Sequence, residues 1–208
     1  MYLLARQANL RGLDAPKWAV EIGAAAAAGL GNEVGVWATA LSPGFGTVTW
    51  TSMWADLTAL EKGFADLAGH AKYLELAAAG AEFVNGSIDD TLYETVYEGT
   101  GGGNDARYAG TVSAVCAPGN YARGMMGGVE IAQRAEKATG VSTGFLAAQT
   151  GPYGRVIWLA GYKTMAEYEA AQHSLAADTS FIEYLDATTD AYQPDPSVTQ
   201  STLYMRLN

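Results

Sequence analysis

A single cysteine, Cys116, stands among 208 residues, which excludes an intrachain disulfide and a cysteine-based metal cluster. Histidine is almost as scarce, with only His70 and His173, and neither sits in an HExxH or other helical ligand spacing. Basic residues number 12 against 22 acidic ones, a formal net charge of −10. The deficit is shared: five Lys or Arg against twelve Asp or Glu in the first hundred residues, and seven against ten in the rest. Without clustered cations to neutralise phosphates, nucleic acid is not an expected partner, nor is an anionic membrane surface. Long apolar runs are missing too. The opening MYLLARQANLRG has no secretory h-region, and GAAAAAGLG at 23–31 is too short and weakly apolar to span a bilayer. A soluble, cytoplasmic protein is the expectation.

Apolar residues make up 49% of the chain and charged residues only 16%, so disorder is not expected and a sizeable core is. The chain also matches itself. Residues 45–67, FGTVTWTSMWADLTALEKGFADL, align without a gap on 153–175, YGRVIWLAGYKTMAEYEAAQHSL. Val48 falls on Val156, Trp50 on Trp158, Trp54 on Tyr162, Glu61 on Glu169 and Leu67 on Leu175, always 108 residues apart. GNEVGVWATA from Gly31 pairs with GVSTGFLAAQ from Gly140 at an offset of 109. Agreement across a strand-like and then a helix-like period is the signature of a repeat.

Each half reads as strand, helix, strand, strand, helical region, strand. The opening strands are 2–8 and 108–116, and the first helices are about 15–30 and 120–139. Asp14 is the candidate cap and Pro16 an early helical residue of the first. The closing strands are 91–97 and 201–207, with 71–84 and 179–192 helical or mixed before them. This order is the split βαβ plan of a ferredoxin-like unit, whose helices cover one sheet face and leave the other to a partner. The expected fold is therefore α+β: tandem ferredoxin-like repeats that form an intrachain, pseudo-dimeric α+β barrel. The expected halves are 1–97 and 106–208, joined by the Gly-rich segment 98–105.

These motifs resemble the dimeric α+β barrel superfamily, and within it NIPSNAP-like and EthD-like members in fused tandem form. The resemblance rests on YLLAR at the start, on Gly31 with Gly35 and Gly140 with Gly144, and on the aromatic-Gly-x-Val-x-Trp strand of each half. It spans nearly the whole chain. It implies an apolar lumen, and the superfamily's reactions include cofactor-independent oxygenation, polyketide cyclisation, haem degradation and chlorite dismutation. Arg6 is the Arg that NIPSNAP-like openings often carry, and the second half has no clear counterpart.

Strand alternation puts Val48, Trp50, Ser52 and Trp54 on one face, and Thr47, Thr49, Thr51 and Met53 on the other. The plain reading of Trp50 and Trp158 is core packing between sheet and helix. The functional reading makes Trp37, Trp50, Trp158 and Tyr162 the walls of a ligand pocket, with Trp37 matched only by Leu146. Arg6 would stabilise an enolate or phenolate, and His173, near the border of its helix's apolar side, is the candidate base, although a surface role suits it better. Asp89, Asp90, Glu167 and Glu169 read as solvated carboxylates. Gly124, Gly127 and Gly128 are expected either to pack a helix closely or to loosen it as a rim. Cys116 is expected to be buried and inert, and no metal-binding residues are expected.

The function that follows is binding, with cofactor-free oxygenation or cyclisation, of a small hydrophobic or aromatic compound. It calls for no cofactor, and self-association into a homo-oligomer is compatible with it. The alternatives are a non-catalytic ligand-binding or interaction protein, and a haem-binding protein.

Overall fold

A computed structural model describes residues 1–41, 46–101 and 105–208. Phe45, which opens the first copy of the aromatic-Gly motif, lies outside the described residues, as do Gly102, Gly103 and Asn104 of the expected linker. The elements are β1 (Tyr2–Leu10), α1 (Ala15–Leu30), β2 (Gly35–Leu41), β3 (Thr47–Trp54), α2 (Leu57–Ala68), α3 (Ala71–Ala79), β4 (Val84–Tyr97), β5 (Tyr108–Val115), α4 (Tyr121–Thr139), β6 (Thr143–Ala148), β7 (Arg155–Tyr162), α5 (Met165–Ala177), α6 (Thr179–Thr188) and β8 (Gln200–Arg206). The two halves carry the same order of strands and helices. The strands hydrogen-bond in the order β1-β3-β2-β8-β5-β7-β6-β4, which closes a barrel.

Local chemistry explains most boundaries. α1 and α4 end on Gly31 and Gly140, both left-handed at φ 62° and 71°, a conformation a side chain resists and glycine accepts. The helical region of each half is two helices, not one. The break in the first half comes at His70, whose Nδ1 accepts from the Tyr73 backbone N–H and starts α3. In the second half Asp178 accepts from Phe181 N–H and starts α6. Asp56 caps α2, and Thr164 caps α5, where the Glu167 carboxylate also accepts from the Lys163 N–H just before the cap. Asp14 stands at the N-cap of α1, but its side chain makes no capping bond. There Pro16 sets the helical φ and lacks the donor that a cap would satisfy.

One expectation is corrected, and one pair of alternatives is decided in favour of close packing. β4 begins at Val84, well before residue 91; its early part is hard to read because residues 85–90 are all exposed and show no alternation. The glycines of α4 do not loosen it: the helix is continuous, and Gly124, Gly127 and Gly128 are buried. A Cβ on Gly128 would lie 2.1 Å from the Phe145 ring, and one on Gly124 would lie 2.6 Å from Cys116 Sγ. These residues let a helix backbone approach the sheet.

By internal contacts the chain forms two compact units. One is Met1–Tyr93 with Tyr204–Asn208, the other Glu94–Leu203. In the first, β3 pairs antiparallel with β1 and β2, so that Arg6 and Val36 both lie opposite Trp50. In the second, β7 pairs the same way with β5 and β6, and Val112 and Phe145 lie opposite Trp158. The core of the first unit gathers Trp18, Ala19, Ile22, Val36 and Val48 between α1 and the sheet. That of the second gathers Ile131, Ala132, Phe145, Val156 and Trp158.

Candidate functional site

Each unit holds a cavity on the helix side of its strands. In the first unit the cavity measures ≈ 380 Å³. Leu4 and Arg6 of β1, Trp50 and Ser52 of β3, and Ile88 of β4 form one wall; Trp18 and Ile22 of α1, Phe64 of α2 and Tyr73 of α3 form the other. The indoles are held by hydrogen bonds to helix carbonyls. Trp50 Nε1 donates to Ala19 O at 2.9 Å, and Trp18 Nε1 donates to Leu76 O at 2.9 Å. The two rings meet edge to face at 6.0 Å, and Trp18 stacks on Phe83 at 5.4 Å. Satisfied indole N–H groups let these large rings face an apolar space without an unpaired donor.

Among the described residues Arg6 is the one charged residue that lines this cavity. Its Nε and one terminal nitrogen grip both oxygens of Asp90, at 2.8 and 2.7 Å, and the other terminal nitrogen donates to the Tyr73 hydroxyl at 3.2 Å. The hydrogen bond to Asp90 holds the guanidinium ionised beyond its usual range, against the opposing effect of burial. The pair is about one-third exposed on the Arg6 side and 42% on the Asp90 side, so its contribution to stability is about 0–1 kcal/mol. Its effect is orientation: a bidentate fork fixes the plane of the guanidinium. Because the Tyr73 oxygen accepts from Arg6, its own proton is left to donate to another group.

The cavity of the second unit is larger, ≈ 720 Å³. Trp158 and Tyr162 of β7 line it, with Val112 of β5, Tyr168 and Gln172 of α5, and Tyr192 beyond α6. Trp158 Nε1 donates to Gly128 O at 2.8 Å, the counterpart of the Trp50–Ala19 bond. Tyr162 and Tyr168 meet edge to face at 5.3 Å. Burial pushes the Tyr162 and Tyr192 hydroxyls upward in pKa, so both stay neutral.

Of the residues expected from the sequence, Arg6 and Trp50 come together in the first cavity, and Trp158 and Tyr162 in the second. Trp37 lies elsewhere. It pairs with Thr49, while its neighbour Val36 pairs with Trp50, and the two-residue period of a strand therefore sends Trp37 to the opposite face. There its Nε1 donates to Thr51 Oγ1 at 2.9 Å, and Arg206 lies over its ring at 5.6 Å. His173 is exposed on α5 and does not line the cavity of its unit. Three residues join the site that sequence reasoning had not placed there: Trp18, Tyr73 and Asp90. Asp90 differs from its neighbour Asp89, which is bonded to Ser87; one faces Arg6 because adjacent strand residues point to opposite faces.

Neither cavity offers a haem iron a histidine, cysteine or methionine among the described residues, and His70 uses Nδ1 to cap α3. Among the described residues no group of three His, Cys, Asp or Glu side chains could hold a metal ion, and no helix is long and apolar enough to cross a membrane.

No protein-family model matches the chain, and no curated protein matches it. Solved structures do share its fold. A provisionally named monooxygenase of Fusobacterium nucleatum superposes over 100% of this chain and 92% of its own, with a TM-score of 0.72 at 12% identity. An anthrone oxidase-like protein covers 100% and 91%, with a TM-score of 0.68 at 12% identity. Chlorite dismutase of Candidatus Nitrospira defluvii covers 99% and 92%, with a TM-score of 0.51 at 10% identity. The barrel thus has the fold of the monooxygenase-like and chlorite dismutase-like α+β barrels.

Proposed function

We propose that the first unit binds a small aromatic compound carrying an acidic hydroxyl, a phenol or an enol, with its ring between the indoles and its oxygen at Arg6 and Tyr73. The observation that carries this is a guanidinium in a mostly apolar cavity, held in a fixed plane by Asp90 beside the Tyr73 hydroxyl. The volume, ≈ 380 Å³, is within the range of small-molecule sites, about 300–1,000 Å³. A guanidinium and a hydroxyl on one oxygen favour its ionised form, since hydrogen bonds to the charged state lower the ligand's pKa.

The chemistry suited to such a site is oxidation by dioxygen. An ionised enol is electron-rich at carbon. When an activated methylene reacts with dioxygen, two C–H bonds break, one oxygen atom becomes the new carbonyl, and the other leaves as water. Four electrons pass from carbon to dioxygen, and no other reductant or oxidant is required. Two proteins of the same fold bear monooxygenase and oxidase names, which favours oxygenation over cyclisation. The NIPSNAP-like and EthD-like affinity of the YLLAR opening belongs to this proposal as well.

Calorimetric titration with 1-naphthol and with anthrone tests the binding step. Both should bind the wild-type chain, and Arg6→Ala should weaken them about 10- to 100-fold, the value of losing a charge-assisted hydrogen bond. Equal affinity in wild type and Arg6→Ala would remove the assignment. Oxygen uptake with anthrone, absent in Arg6→Ala, then tests the chemistry. A chain that binds anthrone and consumes no oxygen is a ligand-binding protein.

A further inference from the structure

We propose that the second unit's cavity is a separate binding site for an uncharged apolar molecule, a polycyclic or long-chain compound with at most a neutral hydroxyl or carbonyl. Volume alone permits this: at ≈ 720 Å³ the space accepts a ligand larger than the first cavity can. The lining decides the ligand's charge. Among the described residues no Asp, Glu, Lys, Arg or His lines the cavity, so an ionised ligand would lose its hydration without gaining a counter-charge. The position that holds Arg6 in the first unit, opposite the buried indole, holds Val112 in the second. The position of Tyr73, third after the helix cap, holds Phe181.

The polar groups that remain are neutral: beside Thr and Ser hydroxyls they include Tyr162, Tyr168, Gln172, Tyr192 and Gln193. Tyr168 and Gln172 both line the cavity and lie four residues apart on α5, hence on one helix face. The Tyr162 ring packs against Tyr168. A carboxamide with a hydroxyl on one wall can donate to a ligand carbonyl, or both donate to and accept from a ligand hydroxyl, which suits an uncharged oxygen.

Two dyes that share one ring skeleton test the charge rule: N-phenyl-1-naphthylamine is neutral, and 1-anilinonaphthalene-8-sulfonate adds a sulfonate. In an Arg6→Ala background, which removes the cation of the first cavity, the neutral dye should bind at least about tenfold more tightly than the sulfonate. Val112→Arg places a cation where the first unit has one, on a residue already 41% exposed. It should weaken the neutral dye about tenfold and strengthen the sulfonate. Ala176→Trp, at an exposed lining position, should block the neutral dye without disturbing the core, and it stands if Val112→Arg fails to fold. A sulfonate preference in the Arg6→Ala chain, or neutral-dye binding unaltered by Val112→Arg and Ala176→Trp, would overturn the proposal. Val112→Arg and Ala176→Trp should leave calorimetric binding of 1-naphthol by the first unit unchanged, since neither residue lines its cavity, which separates this site from the one proposed for the first unit.

Discussion

The two units are built on one frame and differ in what they bury beside it. Each hangs an indole from a helix carbonyl, Trp50 from Ala19 and Trp158 from Gly128. Opposite that indole on one side stands Val36 or Phe145, and on the other Arg6 or Val112. The larger Phe145 is accommodated because Gly128 has no side chain, whereas the first unit combines the smaller Val36 with Ala19. On the cavity side the exchange runs the other way: the first unit spends its polarity on Arg6, Tyr73 and Asp90, and the second has apolar or neutral groups at the first two positions. Packing residues and polar residues therefore differ separately on a hydrogen-bonded scaffold that both units share. In such a fold the scaffold reports the architecture, and the residues opposite the indole report the chemistry.

The largest difference between units should appear in core truncation. Phe145→Ala removes a ring with no exposed surface and should cost about 3–5 kcal/mol. Val36→Ala, equally buried, should cost less because fewer atoms are lost; denaturant midpoints of the two variants compare them. Equal losses would mean that Phe145 is not the centre of its core. Next come the indoles. Trp50→Phe and Trp158→Phe each lose one hydrogen bond, to a helix carbonyl that keeps its intrahelical partner, about 0.5–1.5 kcal/mol apiece. Similar costs are expected if the frame is shared, and a large imbalance would break the comparison.

A third difference is in acid sensitivity. Glu136 of α4 is buried, which opposes its ionisation, yet it accepts from Tyr97, from Thr100 and from the Thr143 backbone N–H, and these bonds prevail and lower its pKa. A lowered folded-state pKa stabilises above the unfolded value of 4.5 and is lost as pH falls through and below it. The corresponding residue of α1, by its bond to the capping glycine, is Ala27. Glu136→Gln should therefore flatten the fall in stability between about pH 6 and pH 3, followed by urea unfolding at each pH. The smallest effect is at Asp90. Asp90→Asn should change stability by less than about 1 kcal/mol, but it should tighten binding of an acidic phenol by releasing the charge of Arg6. Weaker binding would show that the fixed plane of the guanidinium matters more than its free charge.

Much of the frame was legible in the sequence. α1 is bounded by Pro16 and Gly31, two residues with strong local preferences, and the observed helix matches the expected one. The Gly-x-Val-x-Trp strands were legible because a two-residue period shows which side chains share a face. The site was legible only in part. Arg6 and Trp50 were marked out by chemistry and by the repeat, but Tyr73 and Asp90 reach Arg6 from elements 67 and 84 residues away in the chain, and no local pattern records that approach. The face taken by Trp37 depended on its register against β3, which its own strand does not encode. For His173 the obstacle was α5, whose single buried residue is Ala171 and whose pattern gives no clear apolar side.

The closing residues Tyr204–Asn208 are part of the first unit. There Asn208 accepts from Val36 N–H and donates to Val34 O through its side chain, and Leu207 N–H donates to Val36 O. Protein synthesis runs the other way, and N-terminal segments are made first. The unit that begins the chain must therefore wait, with an edge of β2 unpaired, until the whole of the second unit has been translated. A nascent chain paused before residue 204 would present that edge to chaperones or to other chains.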